Sequence, residues 1–125
     1  MATYRTPLEK FPHMIWKSTD AGATADIDVF GGPCTLYSLK IFNATGSAVP
    51  AYIKIYDALS ATYQDRPVLA FYVLNGGDRT VQFAEGFKFT YGLTIRCTTH
   101  PMIHTASDGT DPAGDVTIIA VGKGE

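Results

Sequence analysis

Residues 36–58 read LYSLKIFNATGSAVPAYIKIYDA, and their pattern decides the fold class. On each side of a short polar loop, apolar residues alternate with polar ones, which is the period of a β-strand with two different faces. The residues that share an apolar face are Tyr37, Leu39 and Ile41 before the loop and Ala51, Ile53 and Ile55 after it. The pattern therefore predicts two antiparallel strands joined as a β-hairpin.

Short apolar stretches of the same kind recur along the rest of the chain, each closed by glycine, proline, asparagine or aspartate. The continuous apolar run 68–74 predicts a strand buried on both faces. The turn sequence 75–78 predicts that the next strand pairs back on that run, and Glu85-Gly86 predicts a break after it. The eight predicted strands are 13–17, 24–30, 34–43, 51–56, 68–74, 79–83, 87–99 and 116–121.

About eight strands without an amphipathic helix predict an all-β domain, an antiparallel β-sandwich. The irregular lengths of the connections favour a jelly roll over an immunoglobulin-like sandwich. Residues 1–12, which contain Pro7 and Pro12 and have no periodicity, predict an extended N-terminal arm. Residues 13–125 are of a size to form a single domain.

The composition argues against several classes of partner. Ten basic residues stand against twelve acidic ones, for a net charge of −2, and no basic stripe of the kind that binds nucleic acid is visible in the sequence. No apolar run is long enough to suggest a membrane span, and the first residues lack the apolar region of a signal peptide. We expect a protein that is made in the cytosol, with Cys34 and Cys97 as reduced thiols.

No pattern in the chain predicts catalysis. The motifs of serine hydrolases, phosphate-binding loops, paired cysteines and zinc proteases are all absent. His100 and His104 are separated by a proline-containing loop, so a shared metal is not expected, and the aspartates at 108, 111 and 115 lack the spacing of a calcium loop. Asp26 and Asp28 are best explained as solvated groups. We therefore expect no enzyme activity, no metal and no cofactor.

Aromatic residues are the strongest candidates for binding. Tyr52 and Tyr56 lie on the strand face opposite Ile53 and Ile55, where they form a surface patch if that face points outward. The alternative is that this face is the core one, with Lys54 near an edge. Apolar residues in an arm that cannot form its own core dock on a neighbour or on the same subunit. The predicted anchors in and beside the arm are Tyr4, Arg5, Leu8, Phe11 and Trp16.

Two stretches resemble small structural proteins of tailed bacteriophages. In 36–58 a strand ends in asparagine, and after a polar loop an Ala-Tyr-Ile-Lys-Ile-Tyr-Asp strand returns. In 85–95, EGFKFTYGLTI resembles the entry of those proteins into their penultimate strand. An aspartate-rich loop and a closing Val-Thr-Ile strand extend the resemblance over about 27–121.

The resemblance implies a jelly roll and a place in a virus particle, and it supplies no binding-site motif. Such proteins include capsid cement, or decoration, proteins, which are often trimers that clamp junctions between major capsid subunits. The expectation is a cement protein on the capsid surface, synthesised in the host cytoplasm, homotrimeric and bound to the major capsid protein. The alternative is a carbohydrate-binding, fibre- or tail-associated module that recognises a host glycan through Tyr52 and Tyr56.

Overall fold

The computed structural model describes residues 13–43, 50–62, 64–74, 76–100 and 116–124. The described part of the chain is all-β, with seven strands and no helix. The strands are β1 (His13–Ser18), β2 (Cys34–Asn43), β3 (Ala51–Asp57), β4 (Leu69–Val73), β5 (Asp78–Phe89), β6 (Leu93–Thr98) and β7 (Val116–Gly124).

The strands form two antiparallel sheets in a β-sandwich-like arrangement. Sheet A has the strand order β1-β7-β2-β5, and sheet B has the order β4-β3-β6. The inner faces of both sheets contribute to one apolar core, which includes Leu39 and Ile41 of sheet A and Ile53, Ile55 and Ile95 of sheet B. The prediction of an all-β protein with two-faced antiparallel strands is confirmed at this level.

The predicted hairpin between the two strands of residues 36–58 is wrong. β2 lies in sheet A between β7 and β5, whereas β3 lies in sheet B between β4 and β6. The turn at 75–78 likewise leads from β4 of sheet B to β5 of sheet A, so these two strands do not pair either. Alternation identifies which face of a strand is buried but carries no information about which strand lies at its edge.

The predicted strand at 24–30 is not formed, which reduces eight predicted strands to seven. Asp26 makes a single bridge to Ile95, and the segment follows the edge of β6 through bonds from Val29 N to Leu93 O and from Cys97 N to Gly22 O. Asp28 has a φ of 49°, which interrupts extended backbone.

The predicted burial of 68–74 on both faces is also wrong. β4 is at the edge of sheet B, and its residues alternate between half-buried and exposed before the buried Val73. By contrast, all six residues of β6 are buried, including Thr94, Arg96 and Thr98 on its outer side. A continuous apolar run therefore belongs to an edge strand here, and an alternating one to a strand covered on both faces.

A bulge in β2 reverses the predicted role of Tyr37. The register of β2 against both β5 and β7 shifts between Leu36 and Ser38. Leu36 is therefore in the core with Leu39 and Ile41, and Tyr37 is only half-buried. β5 passes Glu85-Gly86 without ending, because Gly86 takes a φ of +84° opposite this bulge.

We predict that Gly86→Ala destabilises the fold strongly. The new Cβ would overlap Cγ2 of the buried Thr35 and crowd Tyr37, in addition to the backbone strain of a positive φ. We expect a loss of about 2–4 kcal/mol in the free energy of unfolding, measured with urea. Gly31→Ala is the matched control, since Gly31 has a φ of +77° but open space around it, and it should cost only about 1 kcal/mol. Equal losses in the two variants would contradict the packing argument.

Candidate interaction surfaces

The predicted anchors divide into one described residue and four that lie outside the described residues, Tyr4, Arg5, Leu8 and Phe11. Trp16 is in β1 opposite Ala120 of β7, half-buried, and packs against the chain's own core. Its side chain therefore holds β1 on the chain's own sandwich, which is one of the two docking sites that the sequence leaves open. The neighbouring Ile15 points to the other side and is 74% exposed.

The two tyrosines of the predicted surface patch have different surroundings. Tyr56 is only 2% exposed, and its hydroxyl oxygen accepts a hydrogen bond from Nη1 of Arg96 at 3.1 Å. Tyr52 is half-buried and lies beside Tyr72 of β4, with ring centroids 6.1 Å apart and a 37° angle between the rings. Because Tyr72 is 53% exposed, the aromatic surface is formed by Tyr52 and Tyr72 across two strands.

The outer face of sheet B carries buried polar groups. Lys54 and Arg96 are opposite each other on β3 and β6, and both are buried. Nε of Arg96 donates to Ala23 O at 2.9 Å, and Oγ1 of Thr94 donates to Ala58 O at 2.7 Å. Every buried side-chain nitrogen or oxygen among the described residues has a hydrogen-bond partner. The part of this face around Lys54 and Arg96 is therefore covered, whereas its β4 edge is open at Tyr72.

Asp57 is the carboxylate with the clearest structural task. Its oxygens accept backbone N–H bonds from Tyr91 at 2.8 Å, Thr90 at 3.0 Å and Gly92 at 3.4 Å. Partial burial acts to raise the pKa of Asp57, but the bonds from Tyr91, Thr90 and Gly92 outweigh it and hold that pKa below the usual aspartate value. The charge of Asp57 thus fastens the turn between β5 and β6 to the end of β3.

Two further carboxylates, those of Asp28 and Asp26, lie in identified surroundings. Asp28 accepts a hydrogen bond from the backbone N–H of Gly32 and so closes a turn. Burial, followed by the nearby charge of Asp20, raises the pKa of Asp26. Among the described residues no three His, Cys, Asp or Glu side chains are grouped as metal ligands. Cys34 and Cys97 are buried thiols rather than the halves of a disulfide.

The exposed outer face of sheet A carries four lysines, a feature that sequence reading missed. The residues of this surface, called the lysine face below, are Lys17, Lys40, Lys88 and Lys123 together with Ile15, Phe42, Ile119 and Val121. The lysines come from four different strands and are far apart in the sequence. Their proximity follows from the strand register, which the sequence does not reveal.

Comparison of the chain with protein-family models finds no match, and comparison with curated proteins finds none either. Within the described ranges, no helix has the length and apolar character needed to cross a membrane.

We predict that Asp57→Asn weakens the fold at neutral pH by about 1 kcal/mol, because a neutral amide accepts the three N–H bonds less strongly and Asp57 is partly exposed to solvent. The stabilisation by the carboxylate is complete above the ordinary aspartate pKa of about 4 and is lost as the pH falls through the lower pKa of the folded state.

The difference in unfolding free energy between wild type and Asp57→Asn should therefore shrink on acidification from neutral pH. Urea unfolding across that range measures it. Asp78→Asn is the control, since Asp78 is exposed and makes no side-chain hydrogen bond to the described residues. A difference that stays constant down to strongly acidic pH would contradict this assignment.

Proposed function

We propose that this protein is a non-enzymatic structural component of a virus particle, a capsid cement protein of the jelly-roll type. It binds across neighbouring major capsid subunits at the capsid surface and stabilises the shell, because a ligand stabilises whichever state it recognises. The support comes from the resemblance of 36–58 and 85–95 to small phage structural proteins and from the all-β, two-sheet fold.

The observation that carries the proposal is the position of β1. This strand is at the edge of sheet A and follows directly on the arm, residues 1–12. Trp16 ties the strand to the core, while Ile15 on its other side is the most exposed of the large apolar residues among those described. Because β1 is held to the core, the apolar residues of the predicted arm are free to bind a neighbouring subunit without loosening the fold.

The proposed assembly is a homotrimer on the shell, since oligomers at symmetric positions of a capsid are themselves cyclic. Each apolar side chain of the arm that becomes buried in the shell contributes about 1.5–3 kcal/mol. Tyr4, Leu8 and Phe11 together therefore supply enough free energy to matter for attachment, even after the cost of ordering the arm.

We predict that removal of residues 1–12 leaves the domain folded and lowers occupancy of the shell at least about tenfold. Binding is measured by co-sedimentation with empty shells assembled from the major capsid protein of the same virus. Folding of the truncated protein is checked by its thermal transition. A full-length variant with Tyr4, Leu8 and Phe11 changed to serine separates the role of the apolar side chains from that of chain length. Full occupancy by the truncated protein would refute the role of the arm.

A second candidate function, carbohydrate recognition as part of a fibre or tail, is favoured by one observation. Tyr52 and Tyr72 form a tilted aromatic pair at the edge of sheet B, and an aromatic face of this kind can stack on a sugar ring. We expect a Tyr52→Ala/Tyr72→Ala double variant to lose binding on a glycan array if this candidate is correct. Tyr91→Ala is the control, because Tyr91 is an exposed tyrosine in the turn between β5 and β6. If the wild-type protein binds no glycan on the array, this candidate is refuted.

A further inference from the structure

We propose that the lysine face of sheet A is the docking surface of this protein and that its partner is an acidic protein surface. The inference rests on the proposed function only in naming that partner as the capsid shell. The charge and shape of the face are properties of the chain itself.

The first argument is the separation of charge. The outer face of sheet A carries four lysines, and the carboxylate of Asp78 lies on the same side, opposite Phe42. Arg79 lies on the other side of β5, opposite Ile41, and does not add to this charge. The face is thus positive in a protein whose net charge is −2. A field of one sign on one face steers association with a surface of the opposite sign and sets its orientation.

The second argument is the regular placement of the lysines. One row across the sheet pairs Lys17 with Ile119 and Ile119 with Lys40, and a second row pairs Lys123 with Thr35 and Thr35 with Lys88. In each row the two lysines stand two strands apart, which is about 10 Å. None of the four lysine side chains makes an ion pair or hydrogen bond with another described residue. Their charges are therefore directed to solvent or to a partner.

The third argument is the apolar content of the face, which favours a protein over a nucleic acid. Ile15 is 74% exposed and Phe42 is 44% exposed, and the half-buried Ile119 and Val121 lie on the same side of the sheet. Apolar side chains among charged ones are the composition of a protein–protein interface. A phosphate backbone offers nothing for them to contact, and a protein of net negative charge is a poor general binder of nucleic acid.

The other outer surfaces of the sandwich are less suited to docking. The outer face of sheet B is buried at Lys54, Tyr56 and Arg96. β4 and β5 are edge strands of sheets B and A, and Arg79 of β5 contacts β4. Its Cζ lies 5.3 Å from the ring centroid of Phe71, and its Nη1 donates to Tyr72 O at 3.3 Å. A cation at a sheet edge opposes pairing with another strand. The lysine face therefore remains the broad exposed sheet surface among the described residues.

The test uses the full chain labelled with ¹⁵N and two probes, poly-L-glutamate and a short duplex DNA, followed by amide chemical shifts. We expect poly-L-glutamate to shift amides in both lysine rows. Lys40→Glu should weaken that binding about fivefold, because it reverses a charge near the centre of the face. Arg66→Glu makes the same change in net charge at an exposed site outside sheet A, and it should change the affinity less than about twofold.

Four outcomes would overturn the proposal. Poly-L-glutamate that shifts no amides of the face, or equal effects of the two charge reversals, would remove its basis. Tighter binding of duplex DNA at the same residues would make the partner a nucleic acid. Shifts at the face that grow with protein concentration in the absence of any probe would make the partner a second copy of the chain.

Empty shells separate this inference from the proposed function. If both hold, Lys40→Glu lowers shell occupancy while Arg66→Glu does not, and Ile15→Ser lowers occupancy without affecting poly-L-glutamate binding. If the wild type does not bind the shells but poly-L-glutamate shifts amides in the lysine rows, the cement function is refuted and the assignment of the face is supported. If the wild type binds the shells and Lys40→Glu binds equally well, the cement function survives and the docking face is refuted.

Discussion

The structure depends on the burial of the inner faces of its two sheets against each other. Leu39 and Ile41 from sheet A meet a layer that includes Ile53, Ile55 and Ile95 from sheet B, and all five are fully buried. Exposure of such a face to water would be unfavourable, so the other features of the fold depend on the packing of the two sheets against each other. Because the inner faces are used in this way, whatever the protein does with its sheets must be done on their outer faces.

The two outer faces have opposite characters. That of sheet B is buried and polar along β3 and β6, where Arg96 is bonded to Tyr56 and to the backbone of residue 23, and it is open at Tyr72 of β4. That of sheet A is open, with lysines and exposed apolar side chains. The carboxylates with shifted pKa values lie away from the lysine face, and Asp57 serves to hold a turn. Buried, hydrogen-bonded polar side chains thus lie on the outer side of sheet B, and exposed charged side chains lie on the outer side of sheet A.

The sequence predicts the positions of three strands closely, because apolar residues recur there at every second position. β2, β3 and β7 are close to their predicted ranges for this reason. Edge partners could not be predicted, since the apolar pattern of 36–58 is the same whether its strands pair side by side or face each other across a core. The bulge at Tyr37 and the positive φ of Gly86 are local exceptions to the period of two.

The candidate surfaces depend on register, which is the part that sequence could not supply. Tyr52 lies beside Tyr72 because β3 pairs with β4. Tyr56 is buried and bonded to Arg96, so it is not part of the aromatic surface. The lysine face unites residues separated by up to about a hundred positions in the chain. Four isolated lysines in a sequence of net charge −2 give no sign of a basic surface, and only their alignment across four strands makes one.

We propose that this protein attaches to a virus shell through the outer face of sheet A. Cryo-electron microscopy of shells decorated with the wild-type protein would show its orientation on the shell. We expect sheet A to face the shell, with Lys17 and Lys40 next to carboxylates and Ile15 buried in the contact. Tyr72 and the edge of sheet B should point away. Density in which sheet A faces solvent, or shells that bind no protein at all, would contradict it.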